Sequence, residues 1–247
     1  MPHHPHSRIN DSSDTAILFV HGIVGSPDQF SPLLPLVPQD WSIVNLLLPG
    51  HGGSVQDFSH ANMAAWRQHV HDAVEELAAS HDRILLAGHS MGTLFCIAEA
   101  LHRSDKVAGL FLLACPLYPR LTLSAAVQSL QVALEIPGKH PSYAAACRAC
   151  SITGTKKLWR YLGWIPRFFE LFAAAKLARG QIGQLVVPST TVQSRHDELV
   201  APRTCRLLAK APCGQLHILP QSGHFYYPPA DLNTLQTLFT DFLTRYH

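Results

Sequence analysis

The sequence predicts an α/β domain with a doubly wound, mostly parallel sheet and an inserted helical cap. Short apolar runs alternate with segments of helical spacing over residues 15–115, and the alternation resumes over residues 185–247, as in parallel sheets covered by helices. Residues 116–184 lack strand-like runs and are rich in alanine, leucine and aromatic residues. The chain has 247 residues, of which 47% are hydrophobic, and can fill one large core. We therefore expect a core of residues 15–115 and 185–247 and a helical cap of residues 116–184.

The first fourteen residues are polar and contain three histidines, His3, His4 and His6. They include no apolar segment of the kind that forms a secretory signal. We therefore expect residues 1–14 to form a flexible tail and the protein to be cytoplasmic. The histidines lack a cysteine or carboxylate framework, so they indicate no metal site.

Charge and hydropathy limit the kinds of partner that the protein is expected to have. The formal net charge is only +2 and there is no long basic block, so composition gives no reason to expect nucleic acid or an anionic membrane as the main partner. The longest apolar runs, such as residues 107–115, are too short to cross a bilayer. The sequence predicts a small-molecule partner and no transmembrane segment, and it gives no indication of an oligomeric state.

In the first half of the chain, strands and helices alternate. Residues 15–20 are β-rich and lead into a glycine-broken loop, and residues 42–48 form an apolar strand before a glycine-rich loop that lacks the lysine of a phosphate cradle. A short helix over residues 28–36 is expected to be irregular because it contains prolines. Residues 61–80 have helical spacing. The run at 107–115 is typical of a strand buried on both faces.

The cap is predicted to be helical throughout. Helical spacing occurs in four segments: residues 125–134, 144–150, 156–162 and 168–179. Its aromatic content exceeds what the packing of two or three short helices needs, so we interpret it as a lid over an apolar pocket, with Trp159 and Phe168 as candidate substrate-binding residues. Ordinary packing of the cap onto the core is the alternative.

The last part of the core contains a strand at 185–193, a helix at 202–210, a strand at 215–219 and a final helix at 231–246. Asp231 is the candidate N-cap of that helix. Six cysteines are scattered through the chain, and we expect free thiols, with the Cys-x-x-Cys pair at 147 and 150 structural.

The motif Gly-His-Ser-Met-Gly occupies residues 88–92, between an apolar strand and a helix. A serine at the tip of such a sharp turn has strained backbone geometry, and glycines two residues away on either side remove side chains that would clash. The start of the helix directs unpaired N–H groups toward the same point, which suits a negatively charged intermediate. Ser90 is therefore a candidate nucleophile.

A serine hydroxyl needs a general base, and the base needs an orienting carboxylate. His224 follows the last strand and is the candidate base. Asp197 follows the strand at 185–193, and Glu198 beside it is the alternative acid. Both strands would end at the edge that carries Ser90 if the sheet is parallel. Five other histidines compete for the role of base, with a structural or solvent role expected for each: His21, His51, His89, His196 and His217.

These features resemble the α/β-hydrolase superfamily, in its carboxylesterase and monoacylglycerol-lipase branch. The motif at 88–92 matches the nucleophile elbow, and Ser90, Asp197 and His224 follow its triad order. Residues 21–26, His-Gly-Ile-Val-Gly-Ser, look like the oxyanion loop, and residues 48–52, Leu-Pro-Gly-His-Gly, look like a turn of the same branch.

The resemblance implies Asp197 as the acid and the backbone N–H groups of Ile23 and Met91 as the oxyanion hole. This chain departs from the family pattern in two places. The antiparallel strands that often open this fold have no obvious counterpart, and residues 116–184 match no identifiable cap.

The function expected from the residues and the resemblance is hydrolysis of carboxylic esters of apolar acyl groups through a Ser-His-Asp acyl-enzyme, without a cofactor. A thioesterase or acyltransferase on the same triad is the main alternative. A noncatalytic small-ligand receptor on the same fold is the alternative from another class.

Overall fold

The computed structural model describes residues 4–120, 131 and 141–247. Within them lie seven strands: β1 His6–Arg8, β2 Thr15–Val20, β3 Ser42–Asn45, β4 Arg83–His89, β5 Val107–Leu113, β6 Ser189–Ser194 and β7 Gly214–Leu219. The α-helices are α1 Val55–His60, α2 Met63–Ser80, α3 Met91–His102, α4 Pro141–Ala149, α5 Ile165–Gln181, α6 Arg203–Leu208 and α7 Pro229–Leu243. Shorter 3₁₀ turns occur at Pro27–Phe30, Leu34–Leu36, Leu158–Trp164, Ile182–Gln184 and Thr244–Tyr246.

The strands form one sheet in the order β1-β3-β2-β4-β5-β6-β7. All neighbouring pairs are parallel except β1 and β3. The mostly parallel, doubly wound sheet predicted from the sequence is therefore confirmed. Because β2 to β7 run in one direction, the loops after β2, β4, β6 and β7 reach the same edge, where ligands of such sheets bind.

Helices cover both faces of the sheet, because side chains of a strand alternate between its faces. On β2, Ala16, Leu18 and Val20 belong to a cluster that includes residues of α2, α3 and α5. Ile17 and Phe19 face the other side and join a second cluster with residues of α7. Both faces are thus buried, as continuous apolar strands such as β5 require.

The flexible-tail expectation is wrong for residues 6–8, which form the edge strand β1. The Arg8 guanidinium donates to the carbonyl oxygens of Pro38, at 2.6 Å, and Trp41, at 3.2 Å. Three residues are too few for a strand to be recognised by alternation, and these contacts are long-range. One short antiparallel strand therefore does precede the parallel sheet.

Several element boundaries differ from the sequence expectation. The short helix expected at 28–36 is two 3₁₀ turns, and α1 was not expected. Its signal is a capping box, in which Ser54 and Asp57 satisfy each other's backbone N–H groups. The strand expected from residue 185 begins only at Ser189, directly after Pro188, whose nitrogen cannot donate a ladder hydrogen bond.

Residues 141–184 of the cap contain α4, the 3₁₀ turns Leu158–Trp164 and Ile182–Gln184, and α5. The helix expected at 125–134 lies outside the described residues except for residue 131, which is helical. Backbone N–H groups of Ser151 and Thr153 donate to the carbonyls of Val24 and Gly53, at 3.0 and 2.9 Å. The Trp164 indole donates to the Val55 carbonyl at 3.1 Å. This segment is therefore tied directly to the loops that follow β2 and β3.

All six cysteines are free thiols, and Cys96 and Cys115 are buried. Burial raises the pKa of the Cys115 thiol to about 12, so it stays protonated. Among the described residues, no helix combines the length and apolarity needed to cross a membrane.

Candidate active site

Ser90 is the single residue between β4 and α3, and its backbone is strained. Its φ of 51° and ψ of −122° lie in a region that L residues rarely adopt. Its N–H donates to the Leu113 carbonyl of β5 at 2.8 Å, and its carbonyl accepts from Thr93. The neighbouring strand and the first turn of α3 therefore hold this conformation in place.

Glycines on either side of Ser90 allow the close packing of this turn. A Cβ on Gly92 would lie 1.9 Å from the Val20 carbonyl oxygen, and one on Gly88 would lie 2.7 Å from the backbone nitrogen of Thr93. Both contacts involve backbone, which cannot move aside at low cost. The two glycines therefore let α3 approach β2 and β4 closely enough to place Ser90 at the sheet edge.

A continuous chain of hydrogen bonds links Ser90, His224 and Asp197. The Ser90 Oγ lies 3.0 Å from His224 Nε2, and His224 Nδ1 lies 2.9 and 3.0 Å from the two carboxylate oxygens of Asp197. A carboxylate only accepts, so Nδ1 carries the hydrogen and Nε2 is left to accept the proton of the serine hydroxyl. The three residues come from three loops at the same edge of the sheet.

Asp197 and Glu198 contact different atoms of His224. Asp197 binds the ring, whereas Glu198 Oε2 accepts from the backbone N–H of His224 at 3.0 Å. Asp197 Oδ1 also accepts from the backbone N–H groups of Leu199 and Val200, each at 2.8 Å. Only Asp197 is therefore placed to orient the imidazole.

Burial and charge act in opposite directions on His224 and Asp197. Burial alone would lower the pKa of His224, but the adjacent Asp197 carboxylate raises it above its usual value. Burial alone would raise the pKa of Asp197, but His224 and two backbone hydrogen bonds lower it. The pair therefore favours a charged carboxylate and a basic imidazole.

The loop after β2 lies against Ser90. A Cβ on Gly22 would fall 2.9 Å from the Ser90 Cβ. Val24 has a φ of 51°, which is rare for a β-branched residue. In the described part of the chain, no acceptor contacts the backbone N–H groups of Ile23 and Met91. Both donors are thus available for a ligand.

Two buried histidines support this loop. His21 Nδ1 donates to the Gly22 carbonyl at 2.9 Å, and its Nε2 accepts from the Leu48 N–H at 3.0 Å. The His51 ring packs edge-on against His21, with centroids 4.7 Å apart. Burial lowers the pKa of His51 to about 4, so it stays neutral. Both histidines hold the loops after β2 and β3 together.

The sequence matches the alpha/beta hydrolase family over residues 17–232. This chain belongs to that family. The match begins within β2 and includes β3 to β7, residues 141–184 of the cap, and Ser90, Asp197 and His224.

Solved structures that resemble this hydrolase share its fold. One comes from work on LipS and LipT, two metagenome-derived lipolytic enzymes (TM-score 0.75, 19% identity, covering 100% of this chain and 98% of the other). Another is the Paleococcus ferrophilus monoacylglycerol lipase (TM-score 0.71, 15% identity, 100% of both chains). A third is a thioesterase domain from the curacin biosynthetic pathway (TM-score 0.63, 21% identity, covering 95% and 94%).

The histidine of the elbow, His89, supports His224 in this alpha/beta hydrolase. Its Nε2 donates to the backbone carbonyl of His224 at 3.1 Å, and the two rings lie 5.0 Å apart. Burial, with a smaller contribution from His224, lowers the pKa of His89 to about 3. The neutral ring is therefore a fixed donor. Sequence reasoning gave His89 no specific role, because its partner is 135 residues away.

Asp231 anchors the loop that carries His224, rather than capping a helix as expected. Helix α7 begins at Pro229, and the Asp231 carboxylate accepts from the Gln221 N–H at 2.8 Å and the Ser222 hydroxyl at 2.7 Å. The sequence favoured an N-cap because Asp231 begins the apolar helical pattern, whereas its actual partners, Gln221 and Ser222, lie ten and nine residues earlier in the chain.

Trp159 and Phe168 are not buried against the core. Trp159 is 66% exposed and Phe168 38% exposed. Their expected role as substrate-binding residues of a lid over an apolar pocket stays a prediction. His196 is exposed and His217 lies within β7, and neither takes part in the hydrogen-bonded chain. Within residues 4–120, 131 and 141–247, no group of three or more histidine, cysteine, aspartate or glutamate side chains is arranged to hold a metal ion.

The His89 contact predicts a graded effect on catalysis. His89→Leu removes the donor and leaves the His224 carbonyl unpaired, so kcat should fall on the order of tenfold with little change in KM. His89→Gln places an amide donor at a similar reach and should restore most of kcat. Circular dichroism should show that both variants are folded. Equal impairment of the two variants, or a fully active leucine variant, would contradict this role.

Proposed function

We propose that this protein is a serine hydrolase that cleaves carboxylic esters of apolar acyl groups through an acyl-enzyme. The observation that carries the proposal is the hydrogen-bonded chain from Asp197 through His224 to the strained Ser90. Family membership supports it, because the nucleophile elbow and the order of the three residues are those of this fold.

The geometry supports a two-step reaction. His224 Nε2 takes the Ser90 proton while Oγ attacks the acyl carbonyl carbon, and the protonated His224 then gives that proton to the leaving alcohol. Water attacks the acyl-enzyme with His224 again as base, which releases the acid and restores the Ser90 hydroxyl. The Ile23 and Met91 N–H groups would bind the negatively charged oxygen of each tetrahedral intermediate.

Two observations favour carboxylic esters over other acyl compounds as the substrates of the proposed reaction. The similar structures include one from work on two lipolytic enzymes of lipase and esterase families, and a monoacylglycerol lipase. Apolar acyl groups suit the aromatic cap. The thioesterase domain with the same fold makes thioester hydrolysis the alternative.

The roles of Asp197 and Glu198 can be separated with matched amides. Asp197→Asn should lower kcat by roughly 10⁴, since an amide favours the wrong imidazole tautomer. Glu198→Gln keeps an acceptor for the His224 N–H and should cost less than about tenfold. If Glu198→Gln is the crippling change, the assignment of the acid is wrong.

The pH profile gives a second readout of the same pair. Activity requires neutral His224, so kcat/KM should fall as the pH drops through its pKa, which Asp197 raises. In Asp197→Asn the residual activity should persist to lower pH, because the neighbouring negative charge is gone. An unchanged or higher inflection in that variant would contradict this electrostatic coupling.

Substrate class can be read from a series of p-nitrophenyl esters from acetate to decanoate, together with the matching acyl-CoA thioesters. Each CH₂ buried in an apolar pocket is worth about 0.8 kcal/mol, so kcat/KM should rise up to about fourfold per CH₂ until the pocket is full. Trp159→Ala and Phe168→Ala should flatten the rise if these side chains form the acyl-binding wall, whereas Val186→Ala, an exposed site on the core, should not.

Two results would revise the proposal. If kcat/KM does not change with acyl-chain length in any variant, the cap residues do not select the acyl chain. Higher kcat/KM for acyl-CoA than for the matched esters would assign the protein to thioester hydrolysis.

A further inference from the structure

The outer surface of the cap exposes an unusual number of large apolar side chains. Eight of the eleven large hydrophobic residues that are exposed in the described part of the chain lie between residues 158 and 177. We call seven of them, which are 38% to 68% exposed, the apolar cap face: Leu158, Trp159, Leu162, Ile165, Phe168, Phe169 and Phe172. Contiguous exposed apolar surface of this kind marks an interaction site on a soluble protein.

Helical geometry separates this face from the one that packs on the core. On α5, Leu171, Ala174, Ala175 and Ala178 are buried. Ile165, Phe169, Phe172 and Lys176 recur at intervals of three or four residues and are exposed, so they form a second stripe roughly opposite the first. The helix is therefore apolar on two sides, and only one of them has a partner in the described structure.

The segment that carries the apolar cap face is strongly basic. Residues 141–184 contain seven lysines and arginines but one acidic residue, Glu170. The formal charge of this segment is +6, and because the whole chain carries +2, the remaining residues together carry −4. The net charge of the chain hides this asymmetry. Composition alone therefore gave no reason to expect an anionic surface as partner.

Exposed lysines flank the apolar cap face. Lys156 and Lys157 immediately precede it, and Lys176 continues the outer stripe of α5. Arg167, by contrast, donates to the Ser59 carbonyl at 3.2 Å and pairs with Glu170 at 2.6 Å. The Lys157 ammonium lies over the Trp159 ring, 6.0 Å from its centroid, so this charge adjoins the apolar cap face, while Arg167 fastens α5 to the core.

The cap is fixed at the edge of the sheet that carries Ser90. Ser151 is bonded to Val24, next to Ile23, and Arg179 donates to the Leu117 carbonyl at 2.6 Å, just beyond β5. A surface that docks through the cap would thus be held close to the candidate active site.

We propose that the apolar cap face and its flanking lysines dock on an anionic lipid–water interface. Leucine and aromatic side chains with adjacent lysines are the combination that interfacial helices use, the apolar groups entering the acyl boundary and the lysines contacting anionic headgroups. A second copy of the chain fits less well, because two such faces would bring two strongly positive segments together. Docking goes beyond the proposed reaction and does not depend on it.

The direct test is cosedimentation with vesicles in the absence of any substrate. Vesicles of phosphatidylcholine with about one third phosphatidylserine should bind the protein at least tenfold more tightly than pure phosphatidylcholine vesicles. Each basic residue near an anionic membrane surface raises the binding constant about fivefold. High salt should reduce the difference. Because no turnover is measured, this result is separate from the test of ester hydrolysis.

Two double variants separate the apolar and charged contributions. Leu162→Gln/Phe169→Gln should weaken binding to both kinds of vesicle on the order of tenfold or more. Lys156→Gln/Lys157→Gln should weaken binding to anionic vesicles roughly twentyfold and leave binding to neutral vesicles unchanged.

Matched controls use exposed residues of the core. Val186→Gln/Ile218→Gln and Arg83→Gln/Lys210→Gln change similar side chains away from the cap, and both should bind as the unmodified protein does. Absence of vesicle binding, or equal losses in variants and controls, would overturn the proposal. A dimer that Leu162→Gln/Phe169→Gln converts to monomer, without vesicle binding, would assign the face to a second copy.

Discussion

The left-handed backbone turn at Ser90 is the constraint on which the site depends. It exists because Gly88 and Gly92 let α3 approach the backbone of β2 and β4 to distances that a Cβ would block. The strain of a φ of 51° at a non-glycine residue is offset by hydrogen bonds to β5 and to the first turn of α3. The hydroxyl is therefore fixed at the sheet edge before any ligand arrives, and such preorganisation lowers the cost of reaching a transition state.

Several hydrogen bonds position His224 beside Ser90, and further hydrogen bonds hold the loop that carries His224. His224 is bound at its ring by Asp197, at its backbone N–H by Glu198 and at its carbonyl by His89. The loop that carries it is held in turn by the Asp231 carboxylate. The partners of His224 lie 26, 27 and 135 residues away in the chain, so its position depends on the assembled sheet and not on a local segment alone.

Sequence reasoning succeeded where chemistry is local. The strand–helix alternation predicted the sheet, and the motif around Ser90 predicted the elbow, because both signals lie within a few residues. It failed for β1, which depends on contacts of Arg8 with residues some thirty positions away. It also failed for Asp231, whose carboxylate accepts hydrogen bonds from the loop before His224. The surface character of the cap also escaped it, since helical spacing identifies an apolar stripe but not which of two stripes faces the core.

The central claim is that His224 activates Ser90 as a nucleophile, and covalent labelling tests it most directly. A fluorophosphonate should add one phosphonyl group per chain, located on Ser90 by peptide mass spectrometry, and Ser90→Ala should not be labelled. In His224→Ala the labelling rate should fall by on the order of 10³ or more, because the hydroxyl loses its base. Labelling at another residue, or an undiminished rate in His224→Ala, would contradict the account.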